Sequence, residues 1–190
     1  MNEYGVVTGP STVSFERLLP GPIERVWAYL TEPEKRARWL AGGTMELREG
    51  GRVTLEFQHK SLRAVPEPTP ERYKEYEDGS TTTGHITRCE PPRLLSFTWI
   101  ETAGESHVTF ELEPRGKDVR LVLTHERLPN RTELLGVSGG WHTHLLILED
   151  ELRGRDPRPF WSTHLELERE YEHRIPAARS APDERASPAP

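Results

Sequence analysis

Histidine is the residue type in this chain with most capacity for chemistry, and there are eight of them. His142 and His144 form an H-x-H pair, which on a helix means about 200° of rotation between the two side chains. They therefore flank the helix stripe on opposite sides and do not share an ion. His125 closes an alternating run with Leu121 and Leu123 and faces the same side as they do. His144 can approach it from the helix, but no third ligand is readable, so no metal site is expected. To act as a general base, His125 needs a carboxylate or hydroxyl within hydrogen-bond reach. It reads either as a hydrogen-bonded pocket residue or as a structural one. Cys89, the only cysteine, precedes Glu90 and a proline pair with no evident base nearby, and reads as structural. A G-x-S-x-G elbow is lacking, and so is a glycine-rich loop leading from strand to helix. Neither a serine nucleophile nor a nucleotide or other cofactor is expected.

The aromatic residues say more. Trp39, Phe57, Phe97, Trp99, Phe110 and Trp141 occupy positions that strand parity or helix stripe places inward. Each alone reads as core packing. Together with His125 and His144 they form the expected ligand-binding set, walls of an apolar cavity with packing at one end and lining towards Trp39. Trp99 and Trp141 each bring an indole N–H as a polar handle.

These side chains need elements to carry them. The longest helix-period pattern spans residues 130–153, where Leu134, Val137, Trp141, Leu145, Leu148 and Leu152 fall on one stripe. Asn130 and Glu133 resemble a capping box, and Gly154 stands at the stop. Gly136, Gly139 and Gly140 lie off the stripe. Either the helix is kinked or starts late, near Ser138, or this small-residue back face receives another element. The candidate is the amphipathic pattern in residues 160–175, from the same chain or from a partner subunit. Alternation predicts strands in residues 11–19, on either side of Gly50-Gly51, in 84–90 and 93–101, and in a hairpin turning at 114–117. Two short helices, 23–30 and 33–40, follow the first strand. Antiparallel strands joined by short turns imply an α+β fold. Residues 1–10 read as an arm, 11–154 as the domain, 155–175 as an extension and 176–190 as a disordered tail. The proline-rich, charged loop 60–80 is either a solvated edge loop or a lid.

Composition sets the outer limits. The chain has 190 residues and a net charge of −6, which argues against nucleic acid or an anionic membrane as partner. Neither a membrane-length apolar run nor a signal-peptide layout is present, so a cytoplasmic location is the expectation.

Several separated motifs then occur in order: ERLLPGPIERVWAYLTEPEKRARWL, GG-R-V, TGHITRCEPPRLLSFTW, VRLVLTHERLP and GGWHTHLLILEDEL. From about residue 13 to 153 the chain resembles the bacterial homologues of the heat-shock-protein-90 ATPase activator. These belong to the START/polyketide-cyclase-like (SRPBCC) superfamily. The resemblance implies a helix-grip fold, a curved antiparallel sheet of about seven strands around a long C-terminal helix, with a cavity between. The superfamily spans carriers, cyclases and chaperone regulators, so fold alone does not choose a function. The expectation is non-catalytic binding of a small hydrophobic or amphipathic molecule, with loop 60–80 as gate. The alternatives are a chaperone-regulator-like module, with a chaperone or homodimer contact through the helix back face and extension, and a cyclase or hydrolase using a pocket histidine.

Overall fold

The computed structural model of the chain describes residues 3–62, 67–101 and 104–175; the expected tail, 176–190, lies outside them. Seven strands form one antiparallel sheet: β1 (Val6–Gly9), β2 (Thr12–Pro20), β3 (Arg52–Phe57), β4 (Ser80–Glu90), β5 (Leu94–Glu101), β6 (Gly104–Arg115) and β7 (Asp118–Glu126). Their order across the sheet is β1-β2-β7-β6-β5-β4-β3. Alternation does what the sequence predicts: Val13, Phe15 and Leu19 of β2 are buried, as are Val119, Leu121, Leu123 and His125 of β7. The register sets His125 between Val13 of β2 and Val108 of β6, near the middle of the sheet. The fold is the α+β helix grip, with α1 (Ile23–Thr31) and the single turn α2 (Pro33–Arg36) after β2, and the long α3 (Arg131–Leu152) after β7.

The count of strands agrees with expectation, but its make-up differs. Residues 6–9 of the expected arm add an edge strand, pairing Val6 with Ser14 and Val7 with Val13. The first half of the Gly50-Gly51 hairpin is not a strand; only isolated bridges, Gly42 to Glu56 and Met45 to Val53, join it to β3. Arg36 organises this stretch: it is fully buried and donates to the carbonyls of Ala41, Gly42 and Gly43. The segment still exchanges backbone hydrogen bonds with β3, Gly42 with Glu56 and Thr44 with Thr54, but not as a continuous ladder. Gly43, at φ +78, crosses so close to Thr54 that a Cβ would stand 2.2 Å from its carbonyl oxygen.

α3 is continuous, contrary to a late start near Ser138. Asn130 caps it by accepting from the Glu133 amide at 2.9 Å. Ser138 and Thr143 donate to the carbonyls of Leu134 and Gly139 one turn back, so both hydroxyls are satisfied although buried. They are buried because the back face of α3 is covered by α4 (Phe160–Arg174) of the same chain. Gly139 allows the approach: a Cβ there would lie 3.3 Å from the His164 ring and 3.7 Å from the Glu168 backbone. The face left open for a chaperone or a second subunit is thus occupied by the chain's own extension. Tyr171 completes the seal. Its buried hydroxyl accepts from the Gly5 amide at 2.7 Å and bonds His142 Nδ1 at 3.0 Å, tying the N-terminal segment to α4.

Candidate functional site: an aromatic cavity

A cavity of about 250 Å³ lies where β3, β4, β5 and β7 face the first half of α3. From the sheet come Phe57, Ser80, Thr82, Trp99 and His125; from α3 come Glu133, Gly136, Val137, Gly140, Trp141 and His144. Leu40 closes one side. The remaining wall comes from two places that the motifs do not mark. The loop after β3 supplies His59, Tyr73 and Tyr76, and the start of α4 supplies Phe160, Trp161 and His164.

Five of the eight expected residues meet here: Phe57, Trp99, His125, Trp141 and His144. The other three pack elsewhere. Trp39 is fully buried and donates its indole N–H to the Tyr29 carbonyl at 2.8 Å, so it anchors α1 while Leu40 takes the place beside the cavity. Phe97 and Phe110 stack on one another with centroids 6.3 Å apart and belong to the core. Parity separates inward from outward residues but not cavity wall from core, because both share the inner face.

His125 sits in a directional chain of hydrogen bonds. Trp141 Nε1–H donates to His125 Nδ1 at 2.9 Å, and an indole nitrogen only donates. The proton of the neutral imidazole is therefore on Nε2, which donates to Ser106 Oγ at 2.8 Å. Ser106 in turn reaches the Trp99 carbonyl at 3.3 Å. The hydroxyl that a catalytic reading requires is present, yet the wiring runs the wrong way for it. His125 has no lone pair left to take the Ser106 proton, and burial holds the imidazole down to about 3. Ser106→Ala is expected to leave a buried N–H unpaired and to lower stability by about 1–3 kcal/mol, read from urea unfolding.

His144 is fixed differently. Its Nδ1 donates to the Trp39 carbonyl at 2.7 Å, so Nε2 carries the lone pair. Burial, with His59 nearby, lowers its basicity to about 3, and the ring stays neutral. His59, also held down by burial to about 4, lies among Phe160, Trp161 and His144 at centroid distances of 4.4, 5.1 and 5.8 Å. His59 Nδ1 and Trp161 Nε1 are buried with no hydrogen-bond partner among the described residues.

The loop over the cavity is tied down. Glu67 accepts from the amides of Trp161 and Ser162 at 3.0 and 3.1 Å, capping α4 from outside its own segment, where Pro159 offers no side-chain cap. A short 3₁₀ helix, Glu71–Tyr76, stacks Tyr73 on Trp161 at 5.1 Å. Tyr73 donates to Glu168 at 2.8 Å, and Arg72 pairs with the same carboxylate. Burial and that carboxylate raise the Tyr73 phenol well above its ordinary range. The proline-rich, charged pattern of loop 60–80 fits either a solvated edge loop or a lid. Its contribution comes from a few side chains held by a helix almost a hundred residues later.

Comparison with known proteins agrees with this fold. No curated protein matches the chain. Among solved structures, the product of gene BPP1335 from Bordetella parapertussis is 46% identical, with a TM-score of 0.77 over 92% of this chain and 91% of that one. CalU16 from Micromonospora echinospora is 26% identical, with a TM-score of 0.63 over 85% and 86%. Protein MLL2253 from Mesorhizobium loti is 25% identical, with a TM-score of 0.59 over 76% and 98%. The model of the family described as "Activator of Hsp90 ATPase homolog 1-like protein" matches residues 20–153, which takes in every element from α1 to α3 and leaves out β1, β2 and α4 apart from Pro20. Since that match covers most of the chain and all but the edge of the grip, the protein belongs to the Activator of Hsp90 ATPase homolog 1-like family.

Proposed function

We propose that the protein binds a small hydrophobic or amphipathic molecule in this cavity without transforming it. The observation that carries the reading is the wall: seven aromatic and four histidine side chains converge on about 250 Å³ of space. His125 and His144 are held neutral there. Such a site gains from burying ligand surface at roughly 25 cal/mol per Å² and orients the ligand through a few polar groups. The hydrogen-bond direction at His125 supports binding over general-base catalysis. The loop 67–76, latched to α4, serves as the gate through which the ligand enters. Native mass spectrometry of the purified protein is expected to show a co-purifying small molecule.

Gly140 offers a sharper test. It lines the cavity, and a Cβ placed there meets nothing within 4 Å. Gly140→Leu fills that space from a rigid helix and also removes a helix-interior glycine, worth about 0.8–1 kcal/mol. The variant is expected to melt at or above the wild-type temperature while losing bound ligand. Retention of ligand by a folded Gly140→Leu protein refutes the cavity as its site.

A further inference from the structure

Resting on the cavity reading above, we infer that the ligand is a small organic cation, with an apolar body seated along α3 and one protonated amine held at Glu133. Among the described lining residues Glu133 alone is ionised at neutral pH, and none is lysine or arginine. Its carboxylate is half-buried and forms no ion pair among the described residues. The histidines of the wall add no positive charge. Burial holds His125 and His144 down to about 3, His59 to about 4 and His164 below its ordinary value. The cavity, about 250 Å³, is just short of the roughly 300–1,000 Å³ of drug-sized pockets, so the body is small.

The wall is graded along α3. Gly136 is exposed, Glu133, Val137 and Gly140 are half-buried, and Trp141 and His144 are only 4% and 5% exposed. The carboxylate therefore stands at the open end of the stripe and the closed end is aromatic. At 1.5 Å per residue Trp141 lies about 12 Å further along the axis, a span that a two-ring body on a short link covers. Two opposing effects decide the sign of the charge. The N-terminus of α3 carries about half a positive charge, which favours anions. Glu133 sits in that first turn with a full negative charge, so the mouth stays negative. A carboxylate entering there would lose water with no cation in return. An ammonium keeps part of its hydration at the half-open mouth and meets the carboxylate, and the faces of a ring-lined wall attract positive charge. Carried to the closed end, the same ammonium would lose its water without a partner, so the head stays outside and the body goes in.

The test is calorimetric titration of the full chain at neutral pH with 2-(aminomethyl)naphthalene, 2-(hydroxymethyl)naphthalene and 2-naphthoate, one ring system carrying a positive, no and a negative charge. We expect the amine to bind about tenfold tighter than the alcohol, and naphthoate to bind weakest. Glu133→Gln keeps the shape of the side chain and removes its charge, and in it the amine and alcohol affinities converge. Glu133→Lys reverses the order and places naphthoate above the amine. Raising the ionic strength from about 0.01 M to about 1 M narrows the wild-type preference, a readout that stands if a variant fails to fold. Equal affinity of amine and alcohol for the wild-type protein, or preference for naphthoate, overturns the cation assignment while alcohol binding upholds the cavity. An amine preference that survives in folded Glu133→Gln overturns the role of Glu133. If none of the three compounds binds, the cavity reading itself falls and the cation assignment with it.

Discussion

Arg36→Ala is expected to destabilise the protein by about 3–5 kcal/mol, a large part of the roughly 5–15 kcal/mol that holds a domain together. The guanidinium is fully buried. It donates to four carbonyls: Thr31 at 2.9 Å, Ala41 at 3.1 Å, Gly42 at 3.0 Å and Gly43 at 2.9 Å. No carboxylate pairs with it among the described residues, and burial pulls it down to about 10, so it remains charged at neutral pH. Truncation removes the donor from all four carbonyls, of which Gly42 alone keeps a backbone partner, the Glu56 amide at 3.4 Å; each buried acceptor left unpaired costs about 1–3 kcal/mol before relaxation. It also frees the stretch that carries Leu40 to the cavity and the Trp39 carbonyl to His144. Arg36→Lys should recover only part of the loss, because an ammonium cannot reproduce the planar fork. Urea unfolding followed by tryptophan fluorescence measures both, and a loss below 1 kcal/mol for the alanine variant contradicts the assignment.

Acid lability is the second large effect. His125, His142 and His144 are each pushed down to about 3, in every case chiefly by burial. Unfolded, they return to near 6.5. Between those values the unfolded chain binds protons that the folded chain refuses, so stability falls as pH falls from about 6.5 towards 3. Above about 7 both states are neutral there, and the full stability is present. One unit of pH corresponds to about 1.4 kcal/mol per histidine at the limit, so moving from pH 7 to 5 should remove several kcal/mol. Urea midpoints at the two pH values measure this. A histidine-free background at these positions would flatten the slope, whereas unchanged wild-type stability between pH 7 and 5 would rule out burial of three neutral imidazoles.

Both effects concern residues whose importance the sequence conceals. Arg36 sits in EPEKRARWL, one cation among several, and nothing local distinguishes it from Lys35 or Arg38, which are solvent-exposed ion-pair partners. Its value depends on a chain reversal at Gly42 and Gly43 that brings carbonyls to it. His142 illustrates the same point. Helix geometry separates it from His144, but that it is buried follows from α4 lying across it, with Tyr171 as its partner.

Much was nonetheless legible from local pattern. The antiparallel α+β grip, the long helix with its Asn130 cap, the inward face of β7 and the helical period of residues 160–175 all follow from periodicities of 2 and 3.6, which belong to short stretches of chain. Ordered motifs added the family resemblance. Periodicity names an inner face but does not divide it, so Trp39, Phe97 and Phe110 could not be told from Phe57, Trp99 and Trp141 until the helix was seated. Nor could it show that α4 and loop 67–76 finish the wall with Phe160, Trp161, His59 and Tyr73, since those contacts join residues almost a hundred positions apart. The direction of the proton at His125 and the free lone pair at His144 were likewise decided by tertiary structure alone. A histidine carries both tautomers in its sequence letter, and only its neighbours in space, Trp141 for one and the Trp39 carbonyl for the other, select between them.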